Sequence, residues 1–153
     1  MKIKLLLLLL VGAFINGFGQ NLNMVIDVNN NLLVTMVGGD LIFEDIDGKK
    51  ERIPVGYHPG ELLLDEKMWQ RIKSDSIQKI KLTFQYNTFK GEKQKITHFE
   101  AEMEKHHFER RYLILHIYDF REKKYRKKYG CLTDAKYISD FNYPQGGILV
   151  SCR

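Results

Sequence analysis

Alternation of apolar and polar side chains over residues 79–120 constrains the fold of this 153-residue chain more than any other feature. The side chains of a strand point to opposite faces in turn, so a period of two predicts strands with one buried face. The turn Lys90-Gly91-Glu92-Lys93 divides the region, and we expect an antiparallel hairpin around it. A symmetric turn places Phe84 opposite Phe99, with apolar residues facing each other along the whole hairpin.

A third alternating segment, Tyr112–Phe120, extends this prediction to a three-stranded meander. A symmetric loop places Phe99 opposite Leu115 on the buried face, and it places His98 opposite His116 on the other face. A one-residue slip in either connection would set apolar side chains against polar ones. The predicted meander therefore depends on the agreement of the two registers.

The rest of the chain shows the same period in short segments that are separated by turn residues. One helix near residues 65–73 is predicted to begin after the N-cap Asp65, and Pro54, which has no N–H to donate, predicts an edge strand. The other predicted strands cover residues 22–28, 32–37 (stopped by Gly38-Gly39), 41–46, 52–55 (paired across Asp47-Gly48), 125–129 and 147–152. Eight or nine strands favour an all-β antiparallel β-sandwich, and a small β-barrel is the alternative.

The N-terminal residues have the three parts of a signal peptide. Two lysines precede the apolar run Leu5–Ile15, and the small residues Gly17 and Gly19 follow it at the positions that a signal peptidase reads. We therefore expect a cleaved signal peptide over residues 1–19 and a single β-rich globular domain over residues 20–153. An uncleaved anchor is the alternative, although the apolar run is shorter than the roughly 20 residues of a spanning helix.

The chain has two cysteines, Cys131 and Cys152, and both lie in the predicted mature domain. An even number of cysteines in an exported protein favours a disulfide. Such a bridge closes a loop of about 20 residues and contributes on the order of 3 kcal/mol in the chain-entropy model. Two buried free thiols are the alternative, and the spacing matches no structural zinc motif.

Charge is distributed unevenly along the chain. Residues 20–66 hold three Lys or Arg against nine Asp or Glu, whereas residues 67–128 hold seventeen against eight. A dipolar surface of this kind orients a domain toward an anionic partner or lets its two halves attract each other. A solvated surface without a partner is the alternative.

Six cations with two interleaved tyrosines occupy residues 121–129, where we expect a hairpin strand. Lys124, Arg126, Lys127 and Lys128 are candidate contacts to an anionic polymer of the cell envelope or to an acidic protein. Nucleic acid is not expected as the partner of an exported protein. Lysines that protect an edge strand from aggregation are the alternative.

The predicted strand over residues 112–120 is apolar on both faces. One face carries a stripe of mostly aromatic residues: Tyr112, Ile114, His116, Tyr118 and Phe120. A surface strand of a two-layer sandwich should be polar on one side, so we expect something to cover the stripe. The candidate covers are a partner protein, a second copy of the chain, or the C-terminal segment with Phe141, Tyr143 and Ile148.

The predicted register also suggests a metal site. His98 and His116 would lie across from each other with Glu100 next along that face, and two imidazoles with a carboxylate are ligands that suit Zn²⁺ or Cu²⁺. Solvated side chains on an outer face explain the same three residues equally well.

The sequence contains no catalytic motif of recognisable spacing, so an enzyme is not the favoured interpretation. We expect an exported binding or interaction module of the cell envelope or the extracellular space, without a cofactor. Its predicted surface is the aromatic stripe with the adjoining basic residues, and a protein partner or self-association is favoured over an anionic polymer. The alternatives are a small metal-dependent protein or hydrolase centred on His98, His116 and Glu100, and a carrier with a small molecule inside a barrel.

Overall fold

Two β-sheets packed together form most of the computed structural model, which describes residues 21–90, 92–144, 146 and 152. The predicted signal peptide lies outside the described residues, as does the predicted C-terminal strand apart from Cys152. The all-β sandwich is confirmed as the fold class. The described strands close no barrel, so the alternative of a small β-barrel is wrong.

The described chain forms ten strands, two short α-helices and one 3₁₀ helix. The strands are β1 (Leu22–Val28), β2 (Asn31–Leu32), β3 (Val37–Asp45), β4 (Lys50–Pro54), β5 (Gly56–His58), β6 (Gly60–Leu63), β7 (Ile77–Lys90), β8 (Lys93–Met103), β9 (Leu113–Asp119) and β10 (Tyr137–Asn142). The helices are α1 (Glu66–Lys73), the 3₁₀ helix (Lys105–Glu109) and α2 (Lys123–Tyr129). One sheet has the order β10-β9-β1-β6-β5, with β2 also paired to β1, and the other has the order β4-β3-β7-β8.

Strands β7 and β8 form the hairpin that the alternation predicts. Phe84 lies opposite Phe99 and Leu82 lies opposite Ala101, and all four side chains are buried. The centroids of the two phenylalanine rings are 5.9 Å apart. These pairs confirm the predicted register. A slip of one residue would move the whole apolar set to the solvent face.

Strand β9 does not join this hairpin, so the predicted third strand of the meander is wrong. It lies in the other sheet, parallel to β1 and antiparallel to β10, and Leu115 is opposite Ile26 rather than Phe99. The connection between β8 and β9 is not a symmetric turn, because it contains the 3₁₀ helix, which buries Phe108. The pairing of β1 with β9 is the one parallel pair among the described strands, and the sandwich is antiparallel elsewhere.

Two local predictions in the N-terminal half are confirmed. Strand β4, which ends at Pro54, is an edge strand of its sheet and pairs with β3 across the Asp47-Gly48 turn. Asp65 is the N-cap of α1, and its carboxylate accepts the N–H of Met68 at 2.7 Å. These positions follow from turn and cap chemistry that acts over a few residues.

The predicted strand over residues 32–37 is wrong. Strand β2 ends at Leu32, and β3 begins at Val37 and continues through Gly38-Gly39 instead of stopping there. Gly38 has a left-handed φ of +58°, and the register with β7 shifts between Val37 and Asp40. The glycines therefore form an irregularity inside the strand rather than its end.

Tyr137 of β10 joins the edges of the two sheets. Its hydroxyl accepts the N–H of Glu100 at 2.8 Å and donates to the carbonyl of Glu100 at 3.1 Å. Its ring meets Phe99 edge to face with the centroids 5.0 Å apart. The edge of β8 that the predicted meander gave to β9 is therefore capped by a side chain from β10.

The predicted disulfide between Cys131 and Cys152 is confirmed. The bridge attaches Cys152 to the end of α2, and the backbone N–H of Cys152 also donates to the carbonyl of Lys128 at 2.7 Å. Within the described ranges, no helix has the length and apolar character that crossing a membrane requires.

Candidate functional site

The outer face of β9 carries the stripe that the sequence indicates. Ile114, His116 and Tyr118 are half-buried there, while the alternate apolar residues Leu113, Leu115 and Ile117 fill the core. Tyr112 precedes the strand and is 46% exposed, whereas Phe120 follows it and is buried. Most of the stripe is therefore covered within the molecule.

Helix α2 provides the cover at Tyr118. The centroid of that ring lies 5.3 Å from the ring of Tyr125 and 4.6 Å from the ring of Tyr129. Phe120 belongs to the same buried cluster, and Ile138 packs against it. This small second core fixes the helix on the outer face of the sheet.

The C-terminal segment does not provide this cover, so that interpretation is wrong for its described residues. Phe141 belongs to the main core between the sheets and stacks on His107 with the centroids 4.4 Å apart. Tyr143 contacts His106, with 3.3 Å between the hydroxyl and Nε2. Ile148 lies outside the described residues.

Residues 123–129 form a helix, so the predicted strand over residues 125–129 is wrong. In a strand, Lys127 would share the buried face of Tyr125 and Tyr129, but in a helix it lies on the opposite side. The helix buries both tyrosines. Its exposed residues are the five cations Lys123, Lys124, Arg126, Lys127 and Lys128.

The turn between β1 and β2 holds the start of α2. Asn29 and Asn30 have φ angles of 58° and 62°, a left-handed conformation that asparagine tolerates. The side-chain amide of Asn29 donates to Glu122 at 2.5 Å, and that of Asn30 donates to the hydroxyl of Tyr125 at 2.9 Å. The basic helix is therefore attached through polar contacts as well as apolar ones.

Next to Tyr118, a row of three ionisable residues crosses three neighbouring strands. Asp27 of β1 and Asp140 of β10 both lie opposite His116 of β9. Nδ1 of His116 donates to Oδ2 of Asp27 at 2.5 Å, and Oδ1 of Asp27 is buried without a hydrogen-bond partner in the described chain. The rings of His116 and Tyr118 are nearly parallel, with 6.0 Å between centroids.

The environment of this row favours a positive charge on His116. The hydrogen bond to Asp27 raises the pKa of His116, and burial opposes this effect. Burial raises the pKa of Asp140, and the charge of His116 opposes it. Burial also raises the pKa of Tyr118, which keeps this phenol neutral against the tyrosines of α2. Protonated His116 therefore lies between the carboxylates of Asp27 and Asp140, and its Nδ1 is hydrogen-bonded to Asp27.

The residues of the predicted metal site are not brought together as predicted. His98 and Glu100 lie on β8 and face β7, whereas His116 lies on β9 in the other sheet. The carboxylate of Glu100 pairs with Lys81 at 3.0 Å. The described residues contain no group of three or more His, Cys, Asp or Glu that could hold a metal ion.

Sequence reasoning missed Asp27, Asp140 and the role of the two tyrosines of α2. Asp27 and Asp140 take positions next to His116 only because β1 and β10 flank β9, and no local pattern indicates that order. A signal for the helix was available, because Lys127 lies between Tyr125 and Tyr129 and would be buried in a strand.

Comparison with family models, with curated proteins and with solved structures finds no match to this chain.

Proposed function

We propose that this chain is an exported binding module that holds an anionic polymer on the exposed face of helix α2. The observation that carries the proposal is the division of the helix into two faces. Tyr125 and Tyr129 are each 5% exposed and dock on the sheet, while all five cations of the helix point to solvent. A solvated edge strand would have divided these cations between two faces.

The composition of this face favours a polymer over a folded protein as the partner. Protein interfaces are enriched in aromatic residues and depleted in lysine, and here the aromatic residues are buried inside the molecule. Binding to a polyanion requires only that cations replace the counterions of its phosphate, sulfate or carboxylate groups. Four of the five exposed cations of α2 are lysines, which suits this mode of binding.

The attachment of the helix supports a preformed surface. Lys124 and Lys128 lie over the rings of Tyr125 and Tyr129, with 4.5 Å and 4.9 Å from each Nζ to the ring centroid. The polar contacts from Asn29 and Asn30 hold the start of the helix. A surface that is ordered before binding loses less entropy when the partner arrives.

Export is part of the proposal. The disulfide favours an oxidising compartment, and the described helices include none that could span a membrane. Outside the cytoplasm, the abundant polyanions are envelope polymers and anionic glycans rather than nucleic acids.

The test is the affinity of the purified, exported protein for long-chain inorganic polyphosphate and for dextran sulfate at several salt concentrations. We expect Lys123→Gln/Lys127→Gln to weaken binding about tenfold at low salt. The slope of log affinity against log salt should fall by roughly 1.5, since each contact contributes about 0.7 to 0.9. Lys49→Gln/Lys50→Gln is the matched control, because it removes two exposed charges at the β3–β4 turn in the other sheet.

Equal losses in the two double variants would show that binding depends on net charge and not on α2, which contradicts the proposal. Absence of polymer binding by the unmodified protein contradicts it as well. A concentration-dependent dimer that the α2 variant abolishes would identify a second copy of the chain as the partner instead. Sedimentation velocity on both variants distinguishes this last outcome.

A further inference from the structure

A cleft of about 410 Å³ lies beside α2, between the β9–α2 turn and the loop that leads from α2 to β10. Three cationic side chains line it: Arg121, Arg126 and Lys136. Arg126 also belongs to the exposed face of α2, so the cleft and the basic helix form one continuous surface.

The guanidinium of Arg121 is held in place from behind. Asp119, which is buried, accepts from Nε of Arg121 at 2.6 Å and from its Nη2, and it also accepts the backbone N–H of Arg121 at 3.0 Å. Nη2 also donates to the hydroxyl of Thr97 at 2.5 Å. About 38% of the Arg121 side chain is exposed to solvent. Because the guanidinium is already held, a ligand that contacts this exposed part costs little additional side-chain entropy.

The opposite wall is a short loop whose ends are tied together. The N–H of Phe120 donates to the carbonyl of Lys136 at 3.0 Å, which sets the two sides of the cleft at a fixed separation. Thr133 lines the cleft, and its hydroxyl accepts the N–H of Ala135 at 3.1 Å. The disulfide at Cys131 restrains the start of this loop.

The cleft carries a net positive charge. Its lining includes one carboxylate, Asp134, and the pair of Arg121 with Asp119 is close to neutral as a unit. Arg126 and Lys136 therefore exceed Asp134 by one charge. Ala135 is exposed and adds a small apolar surface beside these groups.

From this arrangement we infer that the cleft is a subsite for one phosphate or sulfate group of the polymer held by α2. Arg126 and Lys136 bind the group directly, Arg121 and Thr133 each donate a hydrogen bond to it, and Asp119 is a positioning residue for Arg121. The inference rests on the proposed function, since the polymer on α2 delivers the group to the cleft.

The experiment uses ligands that are too small to follow the helix. Isothermal titration of the exported protein with inorganic tripolyphosphate and with a sulfated disaccharide should show one site per chain, and the tighter probe shows whether the cleft prefers a phosphate or a sulfate group. Lys136→Gln should lower the affinity for that probe about fivefold. Asp134→Asn should raise it by a similar factor, a gain that partial unfolding cannot imitate. Lys50→Gln, which removes an exposed charge from β4 in the other sheet, is the control and should leave this affinity unchanged.

The two proposals fail in different ways. If polyphosphate binds to α2 but neither small probe binds, or if Asp134→Asn and Lys136→Gln both leave affinity unchanged, the subsite is refuted and the proposed function stands. If the small probes bind as expected but the Lys123→Gln/Lys127→Gln variant retains full polymer affinity, the role of α2 is refuted.

Discussion

Replacing His116 with glutamine tests the row of ionisable residues that adjoins the basic helix. Glutamine keeps an N–H that can reach Asp27 but cannot carry the positive charge that faces Asp27 and Asp140. The variant therefore removes the charge while it keeps a polar side chain of similar reach. We expect a less stable fold, with a loss that depends on pH.

The size of the loss follows from the burial of the pair. The side chains of His116 and Asp27 are 20% and 15% exposed, so their hydrogen bond is largely shielded from solvent. A hydrogen bond to a charged group contributes about 1.5 to 3 kcal/mol. We take about 2 kcal/mol near pH 6, which corresponds to roughly 6 °C in Tm for a domain of this size.

The pH dependence has a definite sign. The folded pKa of His116 is raised above the ordinary value of 6.5, because the hydrogen bond to Asp27 favours the cation. The stabilisation is therefore fully present below about pH 6.5 and is lost as the pH rises through the folded value. Asp140, whose pKa burial raises from 3.8, acts in the same direction but over a lower pH window. The difference between wild type and His116→Gln should be largest near pH 6 and smaller near pH 9.

The assay is urea unfolding of both proteins at several pH values, with His98→Gln as the matched control. His98 is an exposed histidine on β8 in the other sheet, so its replacement should change stability little at any pH. A His116→Gln loss that is the same at pH 6 and pH 9 would refute the reasoning, because it would show that packing and not charge is what the variant removes. A double-mutant cycle with Asp27→Asn should give a coupling of about 2 kcal/mol near pH 6.

Two further predictions concern stability. Burial lowers the pKa of His107 to about 4, so the stability that its neutral form contributes is lost as the pH falls from 6.5 toward 4. In urea unfolding, His107→Asn should reduce the stability lost between pH 6.5 and pH 4 by about 3 kcal/mol, and an unchanged loss contradicts this. The Cys131→Ser/Cys152→Ser variant should be less stable by about 3 kcal/mol, since the bridge closes a loop with a sequence separation of 21. A reducing agent should lower the Tm of wild type but not of this variant, and an equal Tm for both proteins without reductant would refute the prediction.

The parts of the fold that the sequence predicts correctly are those that short-range chemistry decides. Apolar and polar side chains alternate along both strands of the β7–β8 hairpin, so the register follows from burial alone. The N-cap at Asp65 and the edge position of Pro54 are equally local. In each case the residues that fix the structure lie within a few positions of one another.

The placement of β9 depends on contacts between distant parts of the chain. Ile26 and Leu115 are opposite each other in a parallel pair, and the apolar face of β9 would fit β8 equally well by alternation. The choice is made by the 3₁₀ helix, which buries Phe108 and takes the chain to the other sheet. The candidate site is equally hard to predict from sequence, because Asp27, His116 and Asp140 come together only when β1, β9 and β10 are neighbours.

The conformation of α2 shows how the basic surface and the fold depend on each other. A helix of seven residues is too short to be stable alone, and the pairs Lys123–Lys127 and Lys124–Lys128 place like charges one turn apart. Its helical state is maintained by Tyr125 and the other buried contacts against the repulsion among its cations. A bound polyanion relieves that repulsion only when the helix is folded. Under the proposed function, the partner therefore stabilises the native state by linkage, and the charge density that makes α2 a poor isolated helix makes it a suitable binding surface.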